Sequence, residues 1–294
     1  MILLLDLDPY LIKDILSFTT EGDNFVLYET CKYLKEFINY FNIKKEFPYI
    51  YEILRDFNTI KWAESHNSFY YSEDSLQFAV SRNDINIVKY VYNKMTVYNS
   101  RYENFCYYEA IRNKNLKIIK WLEKHDFEFD HGVFSFAVKE GNFKIIKWLY
   151  KKECPFDSFA VDCAAYKGKL TILKFLITKG CDWNSSAYNY ACINGSLECI
   201  KYLYEEAQND LSKPWLDMSL TSTAAEYGRL YILKFLKEKG CPFGIQATYN
   251  AVKNNHINTL VWLLENNCPV DESVYNNLSN IGLKYEKESL NIVV

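Results

Sequence analysis

The chain has 294 residues, 49% of them hydrophobic and 17% aromatic, and a formal net charge of −3 at pH 7. This charge gives no electrostatic case for nucleic acid, which is bound through clustered cations, and no apolar run reaches the roughly 18 residues of a membrane span. Because residues 1–5 are too short an apolar run for a signal peptide, we predict an intracellular protein of the cytoplasm or nucleus, without nucleic-acid or membrane partners.

Two amphipathic helices are predicted in residues 1–45. Residues 7–18, LDPYLIKDILSF, space apolar side chains three and four positions apart, which is typical of a helix with one buried stripe. The polar turn TTEGDN separates this helix from a second pattern, VLYETCKYLKEFI, in residues 26–38. The two helices therefore form a small module of their own.

This module resembles an F-box, the helical domain that docks on the Skp1 adaptor of cullin-type ubiquitin ligases. The family pattern L-P-x-E-I-L-x-x-I-L-S-F corresponds to residues 7–18, and its later V-C-K-x-x-x-x-L-I corresponds to residues 30–38. Asp8 stands where the family has proline, and Pro9 follows one place late. The resemblance implies a Skp1-like partner and the docking residues Leu7, Leu11, Ile12, Ile15, Leu16, Phe18, Cys31, Phe37 and Ile38. The alternative is that these helices only cap the open end of a repeat array.

A repeat occupies the rest of the chain. Each copy carries a lysine, or a valine in the last copy, inside its second helical pattern: Lys61, Lys89, Lys120, Lys147, Lys174, Lys201, Lys234 and Val261. These positions are 28, 31, 27, 27, 27, 33 and 27 residues apart, a period that indicates a solenoid of two short helices per copy. Residues 46–76 form a transition and a degenerate first repeat. Clear copies follow at residues 77–98, 106–131, 133–156, 159–183, 186–210, 219–243 and 246–270.

Glycines mark the predicted helix ends. A glycine just past a helix supplies the left-handed conformation that other residues adopt only at a cost. Six of the ten glycines fall at the end of a first or second helix, namely Gly141, Gly168, Gly180, Gly195, Gly228 and Gly240. After Asp271, the segment ESVYNNLSNIGL is a candidate for a ninth first helix.

The copies resemble ankyrin repeats, whose consensus A-A-x-x-G-x-L-x-I-V-K-L-L-L-x-x-G-A-D-V-N matches residues 164–184 nearly position for position. The resemblance covers roughly residues 50–272, but the Thr-Pro-Leu-His turn is absent and most copies are about six residues shorter than usual. We therefore expect a plain loop in place of the β-hairpin finger. The predicted fold is an all-α, right-handed solenoid of about eight ankyrin-like repeats behind the F-box-like module. Its segments are 1–45 (module), 46–76 (transition and degenerate repeat), 77–272 (solenoid) and 273–294 (C-terminal cap and tail).

The resemblance also points to a binding surface. In ankyrin-like arrays, the two residues between the alanine pair and the glycine of the first helix face a concave groove. These positions vary between copies, as expected of a groove that recognises one partner; the alternative is that they are unconstrained exposed positions. The predicted target-binding residues are Arg82, Arg112, Lys139, Glu140, Tyr166, Lys167, Asn194, Glu226, Tyr227 and Lys253.

No residue pattern indicates catalysis, a cofactor or a metal. Four of the nine cysteines, Cys154, Cys181, Cys241 and Cys268, share one position after the second helix, where we expect small buried thiols. The stretch HDFEFDH in residues 125–131 has metal-binding side chains but falls in a loop between copies. An aromatic residue follows the repeated lysine in each copy, and we predict that this column lies in the core between neighbouring repeats, with the lysines exposed.

Together these features predict a non-enzymatic adaptor. Its repeats would bind an unidentified target protein while the N-terminal helices attach it to a Skp1-like adaptor. The combination of F-box and ankyrin-like array resembles proteins of large DNA viruses that infect amoebae, which implies a target in the cytoplasm or nucleus of an infected host. The alternative function is a plain ankyrin-repeat scaffold whose N-terminal helices only cap the array.

Overall fold

The computed structural model describes residues 60–61, 71, 73–95, 103–209 and 217–278. The helices are α1 (Glu73–Ser81), α2 (Ile85–Lys94), α3 (Glu103–Arg112), α4 (Leu116–Lys124), α5 (His131–Glu140), α6 (Phe143–Lys151), α7 (Ser158–Tyr166), α8 (Leu170–Thr178), α9 (Ser185–Asn194), α10 (Leu197–Asn209), α11 (Met218–Glu226), α12 (Leu230–Glu238), α13 (Ile245–Lys253), α14 (Ile257–Glu265) and α15 (Glu272–Leu278). Within these residues there is no β-strand, only an isolated bridge at Val270. The predicted all-helical repeat fold is confirmed.

The helices alternate in role. Odd-numbered helices are the first helices of the copies and even-numbered helices are the second. The chain divides into two compact units, Met1–Phe129 and Asp130–Val294. In the first unit, α1 packs on α2 and α3, and α3 packs on α4. In the second unit each first helix from α5 to α13 packs on its own second helix and on the next first helix.

The first helices approach each other closely because of one small residue. Alanine stands four residues before the turn that ends the first helix in every described copy, and each of these side chains is fully buried: Ala79, Ala110, Ala137, Ala164, Ala191, Ala224 and Ala251. A methyl group leaves room for the neighbouring first helix to pack against this position. The second helices add buried pairs such as Ile145 and Ile146, followed by Leu149.

Two turn positions repeat through the chain. All left-handed residues of the described segments lie either just after a first helix, the first turn position, or just after a second helix, the second turn position. The glycines are Gly141, Gly168, Gly180, Gly195, Gly228 and Gly240, with φ between 61° and 84°. The other left-handed residues are Asn83, Lys114, Asp126, Glu153, Asn255 and Asn267, with φ between 55° and 64°. The predicted glycine positions are therefore confirmed.

Aspartate or asparagine starts the first helices α5, α7, α9 and α11 of the second unit, whereas α13 follows Gly244 without a side-chain cap. The side chain of Asp130 accepts a hydrogen bond from the Val133 amide at 2.9 Å, and that of Asp157 accepts one from Phe159 at 3.0 Å. Asn184 and Asp217 do the same for α9 and α11. An oxygen at this position satisfies amide groups that have no partner within the helix.

The boundaries depart slightly from those predicted. Helix α1 begins at Glu73, four residues before the predicted start of the first clear copy. Helix α15 supplies the predicted ninth first helix. Residues 154–157 and 181–184 form plain loops between copies, as expected. The F-box-like module and the two longest connections, around residues 96–102 and 210–216, lie outside the described residues.

Candidate functional site

The predicted target-binding residues are mostly exposed. We use the name first-helix face for a set of exposed side chains on the first helices. It includes the two residues that directly precede each first turn position and the exposed side chains next to them. Tyr166 is 43% exposed and Tyr227 is 40% exposed, although both are large aromatic residues. Arg82, Arg112, Lys139, Lys167, Asn194, Glu226 and Lys253 are also exposed, and Glu140 is half-buried. These exposures are compatible with a binding surface and equally with unconstrained positions, so the predicted role stays a prediction.

Some residues of the first-helix face also join neighbouring copies. In the first unit, the side-chain amide of Asn113, just after α3, donates to the carbonyl oxygens of Val80 and Ser81 in α1, at 3.3 and 3.1 Å. In the second unit, the Asn194 amide nitrogen lies only 2.5 Å from where a Cβ on Gly168 would be. These two asparagines therefore belong partly to the junction between repeats. The predicted binding residues are distributed over both units, with Arg82 and Arg112 in the first.

The residues after the first turn position strengthen the same junctions. The Arg229 guanidinium donates to the Ile193 carbonyl of the preceding copy at 2.7 Å, and the Tyr231 hydroxyl donates to the Gly195 carbonyl at 2.6 Å. A ring nitrogen of His256 lies 2.9 Å from the Glu226 carbonyl oxygen. These contacts satisfy carbonyls at the ends of first helices. These contacts cannot be recognised in the sequence, since the three residue types share no pattern.

Aromatic rings are concentrated on the first-helix face of the second unit. Phe159 of α7 is 54% exposed, and Tyr166 lies seven residues later on the same side of the helix. The Tyr166 ring meets Tyr190 of α9 edge-on, with 6.0 Å between ring centroids. The Lys167 ammonium lies 5.9 Å from the Tyr166 centroid. This part of the face offers both apolar area and ring faces to a partner.

A carboxylate lies between these rings along α7. Asp162 is 8% exposed, and the Ser186 hydroxyl lies 2.7 Å from both of its oxygens. Burial raises the pKa of Asp162 above its ordinary value, the Ser186 hydrogen bond opposes this effect, and the nearby Asp157 charge adds to it. The sequence does not indicate this residue, because an aspartate within a short helix gives no sign of its burial.

The column of aromatic residues after the repeated lysine joins neighbouring copies, but it is not fully in the core. Among the described residues of the column, Phe235 is buried, and the half-buried ones are Tyr90, Trp121, Trp148, Phe175, Tyr202 and Trp262. Three of these rings meet a tyrosine of the preceding copy edge-on: Tyr92 with Trp121 at 5.1 Å, Tyr150 with Phe175 at 5.5 Å, and Tyr204 with Phe235 at 6.0 Å. The prediction of a core column was therefore wrong in part. The rings lie at the margin of the core because the second helices touch less closely than the first.

The cysteines of the described residues are buried free thiols. Burial raises the pKa of Cys154, Cys181 and Cys241 to about 12 and that of Cys268 to about 11. Such thiols are almost wholly protonated at neutral pH and are poor nucleophiles. Among the residues that the structure describes, no group of three His, Cys, Asp or Glu side chains is placed to hold a metal ion. In the HDFEFDH stretch, the His125 ring instead packs on Trp121, with 4.0 Å between centroids.

Comparison with known proteins detects ankyrin repeats in the second unit. Residues 134–214 and 160–247 match the family described as ankyrin repeats (3 copies). Ankyrin repeats are typically non-enzymatic and imply protein partners. No curated protein matches the chain. Every helix in the described segments falls short of the length and hydropathy that a membrane-spanning helix requires.

Solved structures of helical repeat proteins are also similar. The crystal structure of a pentatricopeptide repeat protein from maize shares 11% identity, with 93% of this chain and 45% of that chain covered and a TM-score of 0.37. A structure of a pentatricopeptide repeat protein in complex with an 18-nt RNA element shares 10% identity, with 96% and 54% covered and a TM-score of 0.36. The chain thus spans about half the length of these structures.

Proposed function

We propose that this chain is a non-catalytic adaptor whose first-helix face captures a target protein. The observation that carries the proposal is the contrast between buried positions that repeat and exposed positions that do not. Packing makes the same demand in every copy, whereas recognition of one partner needs a different side chain at each step. The detected ankyrin repeats support the same general function.

The strongest contribution is expected from the exposed tyrosines. Tyrosine offers a large contact area and loses little conformational entropy on binding, and it is enriched among residues that dominate interface energy. Tyr166 and Tyr227 stand two copies apart, on α7 and just after α11. The neighbouring charges of Lys167 and Glu226 would contribute to orientation and specificity more than to affinity.

Photocrosslinking from single positions tests target capture. A photoreactive amino acid at position 166 or 227 is expected to crosslink the same protein from a cell extract. The matched control is position 234, where Lys234 of α12 is also exposed but lies on a second helix. Crosslinking from position 234 but from neither tyrosine position would contradict the proposed surface.

We further propose that the N-terminal module docks on a Skp1-like adaptor and so links the target to a ubiquitin ligase. The support is the sequence motif in residues 7–18 and 30–38, which lie outside the described residues. The alternative is a scaffold whose N-terminal helices only cap the repeats. Replacing both Ile15 and Leu16 with aspartate is expected to abolish binding of purified Skp1, because an unpaired charge spoils an apolar interface. If the wild-type chain does not bind Skp1, the alternative holds.

A further inference from the structure

Asp162 has few partners for a buried carboxylate. It is 8% exposed, and the Ser186 hydroxyl is the hydrogen-bond donor that the described residues provide to it. This hydroxyl has one proton, while an ionised carboxylate has about four acceptor sites. The same hydroxyl also lies 2.6 Å from the Asn184 side-chain oxygen, which competes for that proton. Most of the acceptor capacity of Asp162 is therefore unused.

The charges near Asp162 do not neutralise it. The neighbouring charge that affects its pKa is another carboxylate, that of Asp157. The charges of Lys139 and Lys167 act to lower the pKa of the adjacent Cys163 thiol. Neither ammonium group lies within hydrogen-bond distance of the Asp162 carboxylate. A buried charge without a counter-ion is expensive to maintain. A cation supplied by another molecule would relieve this cost.

Aromatic rings lie along the same side of α7 as Asp162, and one of them, Tyr166, already has the Lys167 ammonium 5.9 Å from its centroid. Phe159 precedes Asp162 by three residues and Tyr166 follows it by four, so all three lie on one side of α7. Both rings are well exposed, and Tyr190 extends the cluster from α9. The face of an aromatic ring attracts a cation within about 6 Å of its centroid.

A second polar group lacks a partner in the adjoining helix. Ser135 of α5 holds the position equivalent to Asp162, six residues before the glycine of the first turn position. Its side chain is 2% exposed, and its hydroxyl oxygen has no hydrogen-bond partner. Because α5 packs against α7, the two positions are separated by about one helix spacing, roughly 8–10 Å. Ser135 is therefore a separate buried group and is not part of the site proposed below.

We propose that Asp162, Phe159, Tyr166 and Tyr190 form a site for an arginine side chain of the target protein. The inference rests on the proposed function, since it gives the chemistry of the captured protein. A guanidinium has five N–H donors in a planar fork, which suits the two oxygens of one carboxylate. Its flat face also stacks on aromatic rings, as the exposed Phe159 and Tyr166 allow. Lysine supplies the charge but not the fork, so the site prefers arginine.

The test uses two small probes and the full chain. N-acetyl-arginine amide is titrated into the 15N-labelled protein, and N-acetyl-citrulline amide, which is similar in shape but uncharged, is titrated in parallel. We expect saturable shifts in the amide signals of α7 and α9 with the arginine probe. The citrulline probe should bind about tenfold more weakly or worse, because hydrogen bonds between charged groups are the stronger ones. Equal binding of the two probes, or binding of neither, overturns the proposal.

Two variants assign the effect to Asp162. Asp162→Asn should fold, because Asn189 already occupies the equivalent position in α9, and it should lose the preference for arginine over citrulline. Asp157→Asn is the control, since asparagine also caps a helix start, and it should keep the preference. An unchanged preference in Asp162→Asn overturns the proposal. Target crosslinking from position 166 without any arginine preference would leave the proposed function intact while removing this inference.

Discussion

Alanine stands four residues before the first turn position in all seven described copies. Two residues after this alanine, the copies differ from one another. The residues there are Ser81, Arg112, Lys139, Tyr166, Ile193, Glu226 and Lys253. The alanines are fully buried and must admit the neighbouring first helix. The later residues contact solvent to different degrees and need satisfy no such common constraint. Packing therefore constrains the alanine positions and leaves the later positions of the same helix free for the proposed recognition. Substitutions at the two kinds of position should therefore have separable effects.

The largest loss of stability is expected when a residue of the buried core is truncated. Leu173 of α8 is fully buried, so Leu173→Ala should lower the free energy of unfolding by about 2–5 kcal/mol. Thr171→Ala is the control, because Thr171 is exposed on the same helix, and it should change stability by no more than about 0.5 kcal/mol. Chemical denaturation of both variants measures the difference. Similar midpoints would contradict the placement of Leu173 in the core.

The two glycines that end α11 and α12 provide a sharper comparison. A Cβ on Gly228 would lie 2.7 to 3.0 Å from ring atoms of His256, whereas a Cβ on Gly240 would meet nothing within 4 Å. Both residues are left-handed, so each alanine variant should lose about 1 kcal/mol from backbone strain alone. Gly228→Ala should lose at least about 2 kcal/mol, because the His256 ring must also move. Denaturation midpoints that fall equally would show that His256 does not hold this junction.

Turns without glycine should respond in the opposite direction. Glu153 ends α6 with φ +56°, a conformation that glycine adopts without the steric cost of a Cβ. Glu153→Gly is therefore expected to stabilise the chain by up to about 1 kcal/mol. The adjacent Lys152 has φ −94°, so Lys152→Gly should destabilise it by roughly 0.5–1 kcal/mol. Thermal melts of the two variants should shift in opposite directions, and a shared downward shift would argue against a left-handed residue at position 153.

The smallest predicted effect concerns Asp162 and pH. Because its pKa is raised from 3.8 in the folded state, the folded chain holds the proton more tightly than the unfolded chain. The Asp162 contribution to stability therefore falls as pH rises through the ordinary and then the raised pKa. Asp162→Asn removes this dependence, so the variant should gain stability relative to the wild type across that interval and keep the gain at neutral pH. A relative loss of stability over the same interval would contradict the uncompensated burial of this carboxylate.

The sequence was sufficient to predict the repeated helices and their turns, but not the surroundings of the side chains on the first-helix face. Six glycines and a repeated spacing predicted both turn positions, because glycine has a conformational preference that can be recognised without a structure. Lys114 and Glu153 adopt the same left-handed turn, yet neither residue type indicates it. Only their alignment with the glycines of other copies places them there. Surrounding repeats impose this conformation on them.

The predictions for the site were limited by neighbours that the sequence does not reveal. Exposure of Tyr166 followed from its distance to Gly168. The burial of Asp162 did not, because it depends on how closely α9 approaches α7 and on a hydroxyl 24 residues away. The prediction assigned the aromatic column to the core, whereas most of its rings are half-buried. An apolar stripe shows which side of a helix is buried, but not how tightly the second helices pack.

Paired measurements on Tyr166→Ala and Leu173→Ala test most directly whether folding and recognition are separate. Each variant is denatured chemically, and its affinity for the protein crosslinked from position 166 is measured well below its melting temperature. Tyr166→Ala should keep its stability within about 0.5 kcal/mol and lose about 2 kcal/mol of binding, roughly a thirtyfold weaker affinity. Leu173→Ala should show the reverse. A Tyr166→Ala variant that melts early, or one that binds the target with unchanged affinity, would contradict the account.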